Sequence, residues 1–166
     1  MNNLKRAIFF DRDGVINKER KDYVKTVAEL EIFSNIVEPI KRFRNAGFLI
    51  IVITNQSAIN RGLTTDEEIN QIHATIQNFL RKNGTMIDIF YYSSHRPDEN
   101  CICRKPKPGL FLIAAAQMNI DLTSSWMIGD KDSDLQAATV AGCKSIKIDD
   151  KTNLTKTIEI ILDSEV

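Results

Sequence analysis

Asp11 and Asp13 stand one residue apart, behind the apolar run Ala7 to Phe10 and ahead of Gly14. Two carboxyls so spaced, at a turn after a buried strand, can face one pocket, one attacking as a nucleophile and the other moving protons. Carboxylate nucleophiles form acyl-phosphates during phosphoryl transfer; a neighbouring acid can protonate the departing alkoxide and then deprotonate the attacking water. The same residues also make an ordinary polar turn, with Gly14 supplying an unusual backbone angle. Alone, D-x-D-G is moderately specific.

Three further segments bear on that choice. Thr54 follows the apolar run Phe48 to Ile53 and heads Thr54-Asn55-Gln56-Ser57. A hydroxyl followed by backbone amides at the start of a turn binds phosphate oxygens, although a capping Thr is common in its own right. Lys105, in Cys103-Arg104-Lys105-Pro106-Lys107-Pro108-Gly109, places a positive charge on a loop stiffened by two prolines. A basic loop is more often merely solvated. Asp130, with Asp132 and Asp134 close by, supplies hard oxygen ligands suited to Mg²⁺, an ion usually held by one or two carboxylates plus substrate phosphate. Aspartates before a helix otherwise serve as caps. Each bland reading is credible by itself; all four together, in this order at the ends of apolar runs, are much less so.

The elements that must position these residues alternate between strand-like and helix-like patterns without a break in composition, which favours α/β over separate domains. If the apolar runs are parallel strands, their polar successors meet at one carboxyl edge, where open α/β sheets place ligands. A helix is expected over residues 36 to 46, entered through Asn35 with Glu38 three residues on and closed by Gly47. Another is expected over 66 to 83, where Thr65 and Glu68 form a capping-box pattern, Ile69, Ile72, Ile76, Phe79 and Leu80 make the stripe, and Gly84 ends it. Ile87 to Tyr91 reads as a third strand, 110 to 119 as a third helix, 126 to 129 as a fourth strand, 133 to 141 as a fourth helix, Ser145 to Ile148 as a fifth strand, and the tail from 152 as a closing helix. Val15 to Phe33 and Ser93 to Pro108 lack strong periodicity, and loops of that length in a compact domain are usually functional or mobile.

At 166 residues, 43% hydrophobic and 27% charged, the chain is expected to fold as one domain over 1–166 with a sizeable core. Its 22 basic residues balance 22 acidic ones, so no global field draws it to nucleic acid or an anionic membrane. No apolar stretch approaches a membrane span, and Met1 to Arg6 leads straight into a strand rather than a signal-peptide core. A cytoplasmic monomer is expected. Three cysteines, two of them one residue apart, do not point to a disulfide framework.

Taken together, Asp11-Arg12-Asp13-Gly14-Val15-Ile16-Asn17, Ile53-Thr54-Asn55-Gln56-Ser57, Cys103-Arg104-Lys105-Pro106 and Ile128-Gly129-Asp130-Lys131 resemble the four motifs of the haloacid dehalogenase superfamily, in its small-cap phosphatase branch. The resemblance spans roughly residues 7 to 150. It implies a three-layer, Rossmann-like α/β core around a central parallel sheet with a minimal cap, and a Mg²⁺-dependent phosphomonoester hydrolase acting on a small phosphorylated metabolite. Within that branch Thr54-Asn55-Gln56-Ser57-x-x-x-Arg61-Gly62 and Gly129-Asp130-Lys131 resemble the heptose-bisphosphate phosphatases, with the histidinol-phosphate phosphatases as the main rival. By the resemblance Asp11 is nucleophile and Mg²⁺ ligand, Asp13 the acid-base that also ligates Mg²⁺ through its backbone carbonyl, and Asp130 the remaining carboxylate ligand. Thr54 and Lys105 hold the transferring phosphoryl group. Asn17, Asn55, Ser57, Arg61, Arg104 and Lys131 are the implied substrate contacts, Arg61 and Arg104 suiting a second anionic group because a guanidinium binds phosphate in bidentate fashion.

Other classes fare less well. A dehalogenase needs no acid two residues after its nucleophile, so Asp13 argues for phosphate esters. Polynucleotide 3′-phosphatases share the Thr-Asn-Gln and Arg-Gly pattern, but zero net charge and no basic stripe with interleaved aromatics count against them. A non-catalytic phosphate-binding protein would not need every catalytic position filled. The chain departs from its relatives in one loop: they carry structural Zn²⁺ on Cys-x-His followed by Cys-x-Cys, whereas here Ser93-Ser94-His95 precedes Cys101-Ile102-Cys103. His95, Cys101 and Cys103 remain as candidate Zn²⁺ ligands, one thiolate short of the usual four N or S donors, which leaves three options: three protein ligands plus water, recruitment of another side chain, or no zinc. His73 reads as a packed or surface histidine and Cys143 as a small core residue.

Overall fold

The computed structural model describes residues 4–164, so the reading of Met1 to Asn3 lies outside the described residues. Five strands, β1 (Ala7–Phe10), β2 (Leu49–Asn55), β3 (Ile89–Ser93), β4 (Trp126–Gly129) and β5 (Lys144–Lys147), form one sheet in the order β3-β2-β1-β4-β5. Every pairing is parallel. The helices are α1 (Val37–Asn45), α2 (Asp66–Lys82), α3 (Gly109–Met118), α4 (Asp132–Ala141) and α5 (Leu154–Asp163).

Alternation along the central strands sorts the core into two layers. Ile8 and Phe10 of β1 and Ile50 and Val52 of β2 pack with α1, α2 and α5 through Ile40, Phe43, Ile72, Ile76 and Ile158. Ala7, Phe9, Ile51 and Ile53 pack on the other face against Phe111 and Ala114 of α3 and Ala137 and Ala138 of α4. Both faces are covered, which is why β1 and β2 read as unbroken apolar runs rather than alternating ones. Phe9 and Phe111 meet at a ring-centroid distance of 4.9 Å, within the range of favourable tilted pairs.

The three-layer α/β expectation therefore holds, with most element ends displaced by one or two residues. The entry to α1 differs more: a 3-10 turn, Ser34–Ile36, runs into the helix, Ile36 occupies the cap position, and no side chain caps it. Asn35 is drawn into that turn. Thr65, by contrast, accepts from the Glu68 amide and caps α2 as its sequence implies. Between β1 and that entry turn the chain carries one further 3-10 turn, Val27–Glu29, and two isolated bridges through Asn17, so the cap is a loop.

Register completes the positioning. Phe10 is aligned with Val52 on one side and Ile128 on the other, so Asp11, Thr54 and Asp130 leave the sheet at its carboxyl edge within two residues of one level. Among the described residues no helix is long and apolar enough to cross a membrane.

Candidate active site

A cleft of about 370 Å³ opens at that edge, lined among others by Asp11, Asp13, Thr54, Lys105, Arg61, Arg104 and Lys131. At its floor are three buried charges. The Lys105 ammonium lies 3.0 Å from Asp11 Oδ1 and 2.6 Å from Asp134 Oδ1, and donates to the Ile53 carbonyl at 2.8 Å. Burial pushes the Asp11 carboxyl up to about 6, with Asp134 and Asp13 adding to the rise and Lys105 opposing it. Burial also works against the Lys105 charge, but Asp11 and Asp134 outweigh it and hold that group above its ordinary value. Asp134 is thus part of the site, where the sequence made Asp130 the ligand and placed Asp132 and Asp134 close by.

These carboxylates make a fitting seat for a divalent cation. Oxygens of Asp11, Asp130 and Asp134 lie within 4.8 Å of one another, and Asp130 Oδ1 is buried without a hydrogen-bond partner. An oxygen so placed lacks compensation for the water it has lost. Burial raises the Asp130 carboxyl accordingly. Two glycines make the approach feasible: Gly14 adopts φ +86° and a Cβ there would collide with the Asp130 carboxylate, while a Cβ on Gly129 would collide with Asp134.

Asp13 is held differently. Its carboxylate accepts from Arg12 Nη2 at 3.0 and 3.1 Å, from Asn17 Nδ2 at 2.9 Å and from Gln56 Nε2 at 2.8 Å. Burial alone would raise its pKa, but the Arg12 charge and these hydrogen bonds prevail and hold it below the usual carboxylate value. Two residues read as substrate contacts have protein partners here. Asn17 is fully buried and spends its amide on Asp13 and the Lys18 carbonyl, so it orients the acid rather than facing substrate. Asn55 lines the cleft but exchanges a reciprocal pair of hydrogen bonds with the Lys105 backbone, at 3.0 and 3.1 Å, and so fixes the lysine loop. Gln56, not singled out in the sequence, bridges Asp13 to Thr54 Oγ1 at 2.9 Å.

The mouth of the cleft is cationic. Arg61 is exposed at the rim and Arg104 half-buried; burial and the nearby Arg61 charge push the Arg104 guanidinium below its ordinary value. Arg104 Nη1 donates to the His95 carbonyl at 3.0 Å. Ser57 lies on the cleft wall, and Lys131 pairs with Glu19 across it. Glu19, Arg20 and Tyr23 come from the aperiodic segment after β1, which forms this wall. Pattern reading finds no signal in such a segment beyond its length.

Behind Arg104, the Nδ1 of His95 lies 3.3 Å from Cys103 Sγ, and Ser93 Oγ lies 3.1 Å from the same sulfur. The Cys101 and Cys103 sulfurs are in contact as a disulfide pair, a pairing the sequence reading did not anticipate. Cys143 is buried, its thiol pushed up to about 12 by burial, as expected of a core residue.

This arrangement has relatives. A family profile described as HAD-hydrolase-like matches residues 102–157. The D-glycero-beta-D-manno-heptose-1,7-bisphosphate 7-phosphatase of Helicobacter pylori (strain ATCC 700392 / 26695) is 43% identical over 144 residues, covering 86% of this chain and 83% of that protein. The chain belongs to the haloacid dehalogenase superfamily of phosphatases. A second relative in this superfamily, the enzyme of the same name from Pseudomonas aeruginosa, is 36% identical over 141 residues, 85% of this chain and 79% of that one. The crystal structure of D,D-heptose 1,7-bisphosphate phosphatase from B. bronchiseptica, complexed with magnesium and phosphate, superposes with a TM-score of 0.85 at 30% identity, covering 96% of this chain and 99% of that chain. The haloacid dehalogenase core thus accounts for nearly the whole length.

A residue behind the site leaves a measurable signature. Burial, aided by the Arg12 charge, lowers the pKa of His73 to about 3, so it stays neutral in the folded protein while the unfolded chain protonates it near pH 6.5. The unfolded state then binds more protons as pH falls below 6.5, and stability drops. Asp11, raised to about 6, acts in the opposite sense. A comparison with His73→Phe isolates the histidine: between pH 7 and 5 the parent Tm should fall more than that of the variant, as read by circular dichroism melts.

Proposed function

We propose that this phosphatase removes one phosphoryl group from a small sugar bisphosphate, D-glycero-D-manno-heptose 1,7-bisphosphate at its 7-position, as a monomer in the cytoplasm. The observation that carries the reading is the pairing of Asp11 with buried Lys105 at the floor of a cleft whose mouth holds Arg61 and Arg104. Two separated cationic zones fit a substrate with two phosphates: one phosphate to be cleaved below, one to be held above. Relatives bearing the heptose-bisphosphate name support the choice of sugar, and the balanced net charge gives no support to a polynucleotide substrate.

In this reading Asp11 attacks phosphorus and the ester P–O bond breaks, leaving an aspartyl phosphate. Asp13, resting as the carboxylate its neighbours favour, takes up the proton that a phosphate monoanion brings with it and passes it to the leaving alkoxide; it then takes one from the water that cleaves the aspartyl phosphate and releases it to solvent, so both carboxyls end as they began. Lys105 and Thr54 hold the transferring oxygens, with charge stabilisation by Lys105 strengthened by its burial. Asp11, Asp130 and the Asp13 carbonyl would hold Mg²⁺. When bound, the ion supplies positive charge against the phosphoryl oxygens and favours the ionised form of Asp11. Asn55 fixes the lysine loop, Asn17 and Gln56 fix Asp13, and Ser57 and Lys131 border the sugar.

His95, Cys101 and Cys103, with both cysteines reduced, would hold a structural Zn²⁺ whose fourth place faces Ser93. A serine hydroxyl is a hard, neutral donor and a poor substitute for thiolate. The metal loop would then hold Arg104 through the His95 carbonyl.

Four experiments test these assignments. Asp11→Asn should abolish phosphate release, to below about 0.1% of the parent, while the far-ultraviolet spectrum is retained; chelation of Mg²⁺ should do the same reversibly. Arg61→Ala and Arg104→Ala should each lower kcat/KM on the heptose bisphosphate by about tenfold or more, as befits loss of a charged contact, and have a smaller effect on an aryl phosphate. A parent enzyme that hydrolyses histidinol phosphate or a 3′-phosphorylated oligonucleotide better than the sugar bisphosphate reverses the substrate assignment. Ser93→Cys should raise zinc content by elemental analysis and raise the chelator-sensitive part of Tm; a parent and variant both free of zinc would remove the metal from the loop.

A further inference from the structure

Arg12 is the largest fully buried side chain described, a guanidinium with no access to solvent. A charge in that position is costly unless its donors are matched. Nη2 reaches both oxygens of Asp13, and Nε is buried without a partner, so the Nη donors must carry the match. Nη1 lies 3.3 Å from Nε2 of His73, on α2. A guanidinium can only donate, so Nε2 must present its lone pair and the ring proton must sit on Nδ1.

The histidine is itself held from two elements. Its ring stacks on Phe90 of β3 at 4.5 Å between centroids and 14° between planes, and meets the edge of Tyr92 at 5.7 Å. The Tyr92 hydroxyl donates to Asp66 at the start of α2, 2.7 Å away. His73 interrupts the apolar stripe of Ile69, Ile72 and Ile76. A leucine or phenylalanine could fill the same space, but would leave Nη1 buried with no acceptor. The residue type is therefore explained by what it accepts, and neither Arg12 nor His73 lines the cleft.

We propose that His73 is a positioning residue, which through Arg12 fixes the carboxylate of Asp13 at the cleft floor. The inference rests on the assignment of Asp13 as acid-base. His73 and Arg12 act at one remove: the α2 ring holds the guanidinium, and the guanidinium holds both carboxylate oxygens against rotation. Loosening either joint misplaces the acid by a fraction of an ångström without touching the nucleophile, Lys105 or the substrate-binding arginines.

Leaving-group chemistry separates this role from a merely structural one. The value of kcat/KM covers steps up to the first irreversible one, transfer of the phosphoryl group to Asp11. A sugar alkoxide needs a proton as it departs; 4-nitrophenolate does not. His73→Phe retains the stacked ring but cannot accept, and should lower kcat/KM on heptose 1,7-bisphosphate about tenfold or more, within the range of general-acid contributions, through kcat rather than KM. On 4-nitrophenyl phosphate the loss should be less than about threefold, since the acid contributes little there. His73→Gln, whose amide oxygen can accept from Nη1, should recover most of the loss. If His73→Phe does not fold, His73→Met, apolar and adaptable, replaces it as the non-accepting variant. Equal losses on both substrates, full activity in a folded non-accepting variant, or no recovery with Gln overturns the proposal. Absence of turnover by the parent on either substrate overturns the phosphatase reading and this inference with it, an outcome distinct from a changed ratio.

Discussion

The site depends on a charged lysine placed where water cannot reach it. Lys105 is 3% exposed, and a lone ammonium in that position would lose its proton or unfold the loop around it. Asp11 and Asp134 on either side prevent both, and the Ile53 carbonyl takes a further proton of the ammonium group. The two acids are in turn tolerable only because the lysine lies between them. None of the three could be placed without the others, and they come from three elements: the end of β1, the loop before α3 and the first turn of α4. The requirement that they meet sets the register of the sheet edge, the approach of α4 to Gly129, and the pinning of the lysine loop by Asn55.

Asp13 shows how neighbouring carboxyls can be given different characters. Asp11 has one cation, two anionic neighbours and no amide donors among its hydrogen bonds, and its affinity for protons rises. Two residues on, Asp13 receives an arginine and two side-chain amides, and its affinity falls. The sequence distance is trivial, but the side chains meet different elements: Asp11 faces the lysine loop, Asp13 the start of the cap loop and the turn after β2.

What could be read in the chain follows from the range of each signal. Apolar runs ending in Asp11, Thr54 and Asp130 disclose strands and their common edge, because a buried parallel strand has few ways to look. Thr65 discloses its helix because capping is local. Asn35 misled because the preceding turn tightened into a 3-10 helix, a choice set by Ile36 packing into the core. Asn17 and Asn55 were placed in the right neighbourhood without their protein partners: an amide can serve substrate, acid or backbone alike, and only three-dimensional proximity shows which protein groups it meets. Gln56 sat inside a motif already marked, and Asp134 three residues beyond another. The wall made by Glu19, Arg20 and Tyr23 had no periodicity to reveal it, and Arg12 and His73 are partners 61 residues apart.

The alignment of Phe10 with Val52 and Ile128 has a bearing on how the chain avoids wrong folds. Side chains alternate across a strand, so sliding β1 by one residue against its neighbours would turn Phe10 toward the opposite layer and carry Asp11 beneath the helices. Apolar strands such as β1 and β2 discriminate poorly among such slips, since phenylalanine and isoleucine suit either layer. The aspartate does not: away from Lys105 it would be a buried, unmatched charge. The acid at the strand end thus acts as a register stop, and the correctly threaded sheet is the one in which Asp11, Lys105 and Asp134 find each other.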